Sequence, residues 1–214
     1  MSPEDGAAIG IVGLTEIQSL KPNVQFGDKV FINGGSGGTG AYGIQIAKAL
    51  GCHVTTSCST PKIDFCKSLG ADEVIDYTST DVAKALAAGG PQFKLVVDNV
   101  GTPLDLYTKS DAFIAPGGKF VQIGAGLSLS GTMAIAGNML KPAFLGGGKA
   151  KYQLLMAQKS KSDLQVLAGW MKEGKVKGVL DTVFEWEDAP KAFEKLKSGR
   201  AKGKIVIKVP VEKE

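Results

Sequence analysis

No part of this 214-residue chain restricts its fold more than Gly35-Ser36-Gly37-Gly38-Thr39-Gly40. The hexad fits G-x-G-x-x-G, and its neighbours give it meaning. An apolar run, KVFIN (29–33), precedes it, and a helical pattern, AYGIQIAKAL, follows. A flexible linker would explain the glycines but not those flanks. Between a strand and a helix each glycine serves a purpose. Gly35 makes the tight turn, Gly37 lets the backbone approach a pyrophosphate, and Gly40 allows close helix–strand packing. The helix N-terminus adds free N–H groups and a partial positive charge for phosphates. A glycine turn without a ligand is the alternative.

The end of the next strand bears on which nucleotide is bound. Folds that take NAD or S-adenosylmethionine place Asp or Glu there, about 20 residues on, to grip the ribose hydroxyls. Here the stretch runs from Thr55 to Lys62 (TTSCSTPK) and contains no acid. A carboxylate would repel a 2′-phosphate, whereas hydroxyls and a lysine would receive one. The pattern favours NADP(H) over NAD(H) and disfavours a methyltransferase. A solvated lysine is the bland account of Lys62.

Strand-like and helix-like runs alternate through most of the chain. After KVFIN come HVTTSC (53–58), EVIDY (73–77), FKLVVDNV (93–100) and GKFVQIG (118–124). Between them lie the helical patterns PKIDFCKSL, DVAKALAA and LDLYTKSDAF. Continuous apolar strands separated by single helices specify an α/β, doubly wound parallel sheet of Rossmann type, covered on both faces. A sixth strand is expected near Ala143–Leu145. The leading segment, 1–25, reads as an amphipathic helix with Ala7, Ala8, Ile11, Leu14, Ile17 and Leu20 on one face. Residues 26–175 form the nucleotide-binding domain, and 176–214 a helix–strand appendage ending in GKIVIKV.

Composition narrows the function classes. A formal net charge of +4 is too mild for a nucleic-acid stripe, and the lysines near the C-terminus suit a solvated face. Three cysteines and one histidine match no metal-ligand spacing, and their odd number suits reduced thiols. GAAIGIVGL follows an acidic flank rather than the positive one of a signal peptide, and Asn138, Lys141 and Pro142 interrupt the later apolar stretch. A cytoplasmic protein is expected, with an organellar location also open.

Taken together, INGGSGGTGAYGIQIAKALG, LGADEVIDY, DNVG, GGKFVQIG and GRAKGKIVI resemble the medium-chain dehydrogenase/reductase superfamily, in its quinone oxidoreductase-like, zinc-independent branch. The similarity runs from about Ala7 to Val209. It implies that Ser36, Gly37, Gly38, Thr39 and Gly40 cradle the pyrophosphate, and that Ser59, Lys62 and Tyr77 surround the 2′-phosphate and adenosine. Asn99 and Val100 would line the nicotinamide ribose, and Ile123, Gly124 and Ala125 would lie by the nicotinamide. Arg200 and Lys204 fall where members of the family approach the cofactor. Members also carry a barrel-like domain ahead of the region matched here, and the appendage normally packs on it. Where zinc-dependent members have a ligand, this chain has Ile9-Gly10-Ile11-Val12, so no metal is expected.

The resemblance implies hydride transfer from NADPH to a quinone or an α,β-unsaturated carbonyl, with the cofactor carrying the chemistry. No acid–base or nucleophilic set emerges, so no catalytic residue is assigned. His53 is expected in the core, Tyr42 in helix packing, and Asp98 as a cap. A non-catalytic NADP(H)-binding module is the alternative function. An edge strand near 143–146 and the unclaimed C-terminal surface leave room for a homodimer.

Overall fold

Six stretches of the chain become parallel strands of one sheet: β1 (Lys29–Asn33), β2 (His53–Cys58), β3 (Glu73–Asp76), β4 (Phe93–Asp98), β5 (Ile114–Gln122) and β6 (Lys151–Leu154). The computed structural model describes residues 2–123, 129–140 and 148–210. Strand order is β3-β2-β1-β4-β5-β6, so the chain first winds outward from β1 and then restarts beside it at β4. That reversal opens a crevice beyond the carboxyl ends of β1 and β4, the usual ligand position in such sheets. Helices α2 (Gly40–Ala49), α3 (Ile63–Ser68) and α4 (Val82–Ala87) lie between the first four strands, and α5 (Leu129–Leu140) between β5 and β6.

Strand side chains alternate between two apolar clusters, as a sheet covered on both faces requires. Val30, Ile32, Val54, Leu95, Val97 and Val121 face the first cluster, which also holds α2 residues. Phe31, Phe93, Val96 and Phe120 face the second, with Val82 and Leu86 of α4.

The leading helix, α1, spans Pro3–Leu20. Ser2 and Asp5 cap it reciprocally, Ser2 Oγ accepting from Asp5 N at 3.1 Å and Asp5 Oδ2 from Ser2 N at 3.1 Å. Its buried surface is wider than the expected stripe. Ala8, Leu14, Ile17 and Leu20 are buried as expected and Ile9, Val12 and Glu16 are buried too, while Ile11 is 63% exposed and Ala7 is also exposed. Contacts with α2 and with α6 (Lys161–Lys172) enclose the helix from more than one side, and a single-face pattern does not anticipate that.

Two other expectations change, and a third lies outside the described residues. LDLYTKSDAF is a run of turns ending in a 3-10 turn at Ser110–Ala112, not an α-helix. Its backbone bonds run largely from i to i+3, and the carbonyls of Gly148 and Ala150 hold the Tyr107 hydroxyl at 3.1 and 2.9 Å. This tertiary tie overrides the helical pattern. The strand expected near Ala143–Leu145 lies outside the described residues; the sixth strand is KYQL at 151–154. His53 is half-exposed at the start of β2, 4.0 Å from Glu73, rather than in the core.

The appendage comprises β7 (Leu180–Glu185), α7 (Ala189–Lys197) and β8 (Lys204–Lys208), with β7 and β8 paired parallel in a second sheet. Val176 and Val179 anchor the approach to β7 in the first apolar cluster. All three cysteines are buried and free.

Candidate functional site

Strands β1, β4 and β5 end in polar residues, and with Ser57, one position before the end of β2, these make one buried row across the carboxyl edge of the sheet. Ser57 of β2 donates to Asn33 Oδ1 of β1 at 2.6 Å, and Asn33 Nδ2 donates to Asp98 Oδ1 of β4 at 2.8 Å. Gln122 of β5 donates to Asp98 Oδ2 at 3.1 Å. Asp98 also accepts from the backbone N–H groups of Val100 and Gly101 at 3.0 and 2.9 Å, confirming its capping role. Burial raises its carboxyl above the usual range, against the pull of these donors. The row fixes the strand tips on which the glycine turn is mounted. Its signal in the sequence is a polar residue closing the apolar runs of β1, β4 and β5.

The turn itself is tied to β2. Gly34 N donates to Ser57 Oγ at 2.9 Å and Gly35 N to Ser57 O at 3.0 Å. The left-handed residue is Gly34, with φ +80°, one position before the expected Gly35. Gly35 is required for a different reason: a Cβ there would collide with Thr56 Oγ1. At Gly40 a Cβ would lie 2.8 Å from Gly35 Cα and against the Gly34 carbonyl, so helix α2 packs onto the turn as expected. At Gly37 the nearest neighbour is the Gly34 carbonyl at 3.4 Å, and the residue faces open space that a side chain would partly fill.

That space is a cleft of about 590 Å³ over the crevice between β1 and β4. Ser36, Gly37, Lys62, Tyr77 and Val100, all picked from the sequence, line it. Asn33, Ser57, Thr80, Asp81 and Pro103 are among the other inner-wall residues, and Gly199 and Ala201 form an outer wall on either side of Arg200, which the family resemblance had put near the cofactor. Gly38 lines a neighbouring apolar groove of about 390 Å³ that runs to Phe193 and Leu196 of α7. Ser59 caps the 3-10 turn Thr60–Lys62 that presents Lys62. Thr39 precedes α2, and Ile123 follows β5, its N–H donating to Asp98 O at 2.9 Å. Gly124 and Ala125 lie outside the described residues.

Three carboxylates stand in or near this region. Asp81 lines the cleft and caps α4, its Oδ1 accepting from Lys84 N at 2.9 Å. Asp76, at the end of β3, accepts from Thr60 Oγ1 at 2.5 Å and Thr78 Oγ1 at 2.6 Å, bonds that hold its carboxyl below the usual range. It does not line the cleft. Glu16 of α1 is fully buried and accepts from Asn99 Nδ2 at 2.8 Å. Asn99 thus has its amide nitrogen committed to α1, and its buried Oδ1 has no partner among the described residues. Burial raises the Glu16 carboxyl from 4.5 to about 8, outweighing the bonds from Asn99 and Ser19. Gly43 makes room for it, since a Cβ there would lie 2.6 Å from its Cδ. Glu16 was detectable as an acid four residues after Val12, on the stripe that α1 buries.

A six-stranded parallel sheet with a glycine turn over its switch point defines a dinucleotide-binding unit of Rossmann type. The bare backbone at Gly37, on the wall of a cleft long enough to continue past Lys62 and Tyr77, fits such a nucleotide. The chain belongs to the zinc-binding dehydrogenase family of the medium-chain dehydrogenases/reductases, whose profile matches residues 69–207. A trans-enoyl reductase, pgmF of Aspergillus terreus, is 50% identical over 210 residues, covering 95% of this chain and 58% of the relative. A zinc-type alcohol dehydrogenase-like protein of Schizosaccharomyces pombe is 37% identical over 97% of this chain and 60% of its own length. The quinone oxidoreductase of Coxiella burnetii superposes with a TM-score of 0.80 at 29% identity, covering 95% of this chain and 60% of that one.

The chain therefore spans about three-fifths of these relatives. The residues present do not fit the metal in the family's name. Among the described residues no three His, Cys, Asp or Glu stand together, and Ile9–Val12 of α1 offers no ligand. No described helix is long and apolar enough to cross a membrane.

Proposed function

We propose that this chain is the cofactor-binding part of an NADPH-dependent oxidoreductase that reduces a quinone or an α,β-unsaturated carbonyl. One observation carries the cofactor choice: Lys62 lines the cleft, while Asp76, beside the end of β2, is engaged by two threonines outside it and Asp81, the acid on the lining, caps α4. The names of the relatives, trans-enoyl reductase and quinone oxidoreductase, support the reaction class.

The bound nicotinamide would supply the hydride. Ser36 to Gly40 would bind and orient the pyrophosphate at the start of α2. Ser59, Lys62 and Tyr77 would receive the 2′-phosphate and adenosine. Asn99 and Val100 would lie along the nicotinamide ribose, with Ile123, Gly124 and Ala125 beside the ring. Residues 1–25, 26–175 and 176–214 would act as leading helix, nucleotide domain and docking appendage. Trp186, Phe193 and Leu196, each more than half exposed, offer the appendage an apolar face for the remaining length of the relatives or for a second copy of the chain. Because the chain spans only part of its relatives, a non-catalytic NADP(H)-binding module is the second reading.

Calorimetric titration tests the cofactor: NADPH should bind more tightly than NADH, and Lys62→Ala should remove most of the difference. Equal affinities for both nucleotides in the unmodified chain would refute it. NADPH consumption with a panel of quinones and enones separates the two readings, since binding without turnover favours the module.

A further inference from the structure

One contact joins the nucleotide cleft to a part of the chain remote in sequence. Lys62 Nζ donates to the backbone carbonyl of Ala201 at 3.1 Å, across 139 positions. Both residues line the cleft. The segment that holds Ala201 is otherwise fastened by backbone N–H groups. Lys202 N donates to Asp181 Oδ1 at 3.0 Å, Gly203 N to Ser36 O at 3.3 Å, and Lys204 N to Val179 O at 2.8 Å. The Gly203 bond runs to the glycine turn itself. Gly199 and Gly203, both left-handed at φ +66° and +93°, bracket the segment.

We propose that Lys62 couples occupancy of the 2′-phosphate position to ordering of residues 199–204, so that NADP(H) closes this segment over the cleft and NAD(H) does not. The coupling rests on the NADP(H) assignment above. A lysine ammonium carries three donors, so one can remain on the Ala201 carbonyl while the others meet a phosphate. Holding a long, partly exposed lysine in one rotamer costs side-chain entropy, which weakens the Ala201 bond when the cleft is empty. A phosphate that fixes the ammonium removes that cost from the second bond. Each contact therefore strengthens the other, with the reciprocity that linkage requires. An adenosine ribose with free hydroxyls leaves the ammonium mobile and produces no such effect.

The test uses the 214-residue chain with 2′,5′-ADP and 5′-ADP, which differ only in the 2′-phosphate. Affinities come from calorimetry, and segment order from amide hydrogen exchange of peptides containing residues 199–204, read at matched occupancy. We expect 2′,5′-ADP to slow exchange there by about 5-fold more than 5′-ADP, at the low end of measured couplings. Lys62→Met should abolish the difference. Lys62→Gln, which keeps a neutral donor for Ala201 but no charge, should abolish it as well. Tighter binding of 2′,5′-ADP with equal exchange for both ligands would overturn the coupling and leave the NADP(H) assignment standing. Equal affinities for the two ligands would overturn the assignment, and the coupling with it. A difference that survives in Lys62→Met would overturn the role of Lys62, because the segment would then respond to phosphate through another group.

Discussion

Replacing Glu16 by glutamine should make the protein more stable at alkaline pH and leave it nearly unchanged near pH 5. Glu16 has no solvent exposure, and burial lifts its carboxyl from 4.5 to about 8. Ser19 Oγ donates to the Glu16 backbone carbonyl at 2.9 Å and to Oε2 at 3.3 Å, and Asn99 Nδ2 donates to Oε1 at 2.8 Å, but burial outweighs these bonds. Below about pH 4.5 the group is protonated in both folded and unfolded chains, and stability does not depend on it. Between about 4.5 and 8 the unfolded chain ionises while the native chain keeps its proton, so stability falls as pH rises. Above about 8 both are ionised and the loss is complete. At 1.36 kcal/mol for each tenfold change in proton affinity, the full span amounts to about 5 kcal/mol.

Glutamine fills nearly the same space, keeps an oxygen to accept from Asn99, and does not titrate. Urea unfolding followed by fluorescence of Trp170 and Trp186 should give wild type and Glu16→Gln within about 1 kcal/mol at pH 5. At pH 8.5 the variant should lead by about 4 kcal/mol, or roughly 2 M urea at the midpoint. The difference between the two proteins is the readout. It cancels the opposite slope from Asp72 and Asp181, whose carboxyls are lowered by their donors and lose their contributions only in acid. Parallel profiles for the two proteins from pH 5 to 8.5 would refute the assignment of a neutral Glu16.

Gly43→Ala should destabilise by about 2 kcal/mol despite alanine's better helix propensity, because its Cβ meets the Glu16 carboxyl. In Glu16→Ala the same change should become neutral or stabilising, and a double-mutant cycle by urea unfolding measures that reversal. Asp98→Ala leaves Asn33, Val100, Gly101 and Gln122 without this acceptor and should cost about 3 kcal/mol in the same assay. Gly40→Ala drives a Cβ into the backbone of Gly34 and Gly35, so calorimetry should show NADPH binding lost. Gly37→Ala meets only the Gly34 carbonyl at 3.4 Å and should weaken NADPH binding with about 1 kcal/mol or less of lost stability.

The sheet and its glycine turn were legible in the sequence because they rest on local chemistry. Four apolar runs, KVFIN, HVTTSC, EVIDY and FKLVVDNV, became β1 to β4 with boundaries shifted by two residues at most. Strands β1 and β4 can be recognised without their partners because burial on both faces makes most of their length apolar, and β2 and β3 because of their β-branched residues. The turn is recognisable because only glycine tolerates the contacts at positions 35 and 40, although the left-handed residue proved to be Gly34. Local patterns failed where a distant contact decided the outcome. LDLYTKSDAF carries a helical pattern, yet Tyr107 is held by Gly148 and Ala150, and α1 is buried by neighbours on more than one side. Lys62 was visible in the sequence as one basic residue after β2. Only the folded chain brings Ala201 to its ammonium and Glu16 to Asn99, across 139 and 83 positions. Periodicity reports which side of an element is apolar, whereas long-range pairing depends on how the elements are stacked, and that was decided by the tertiary structure.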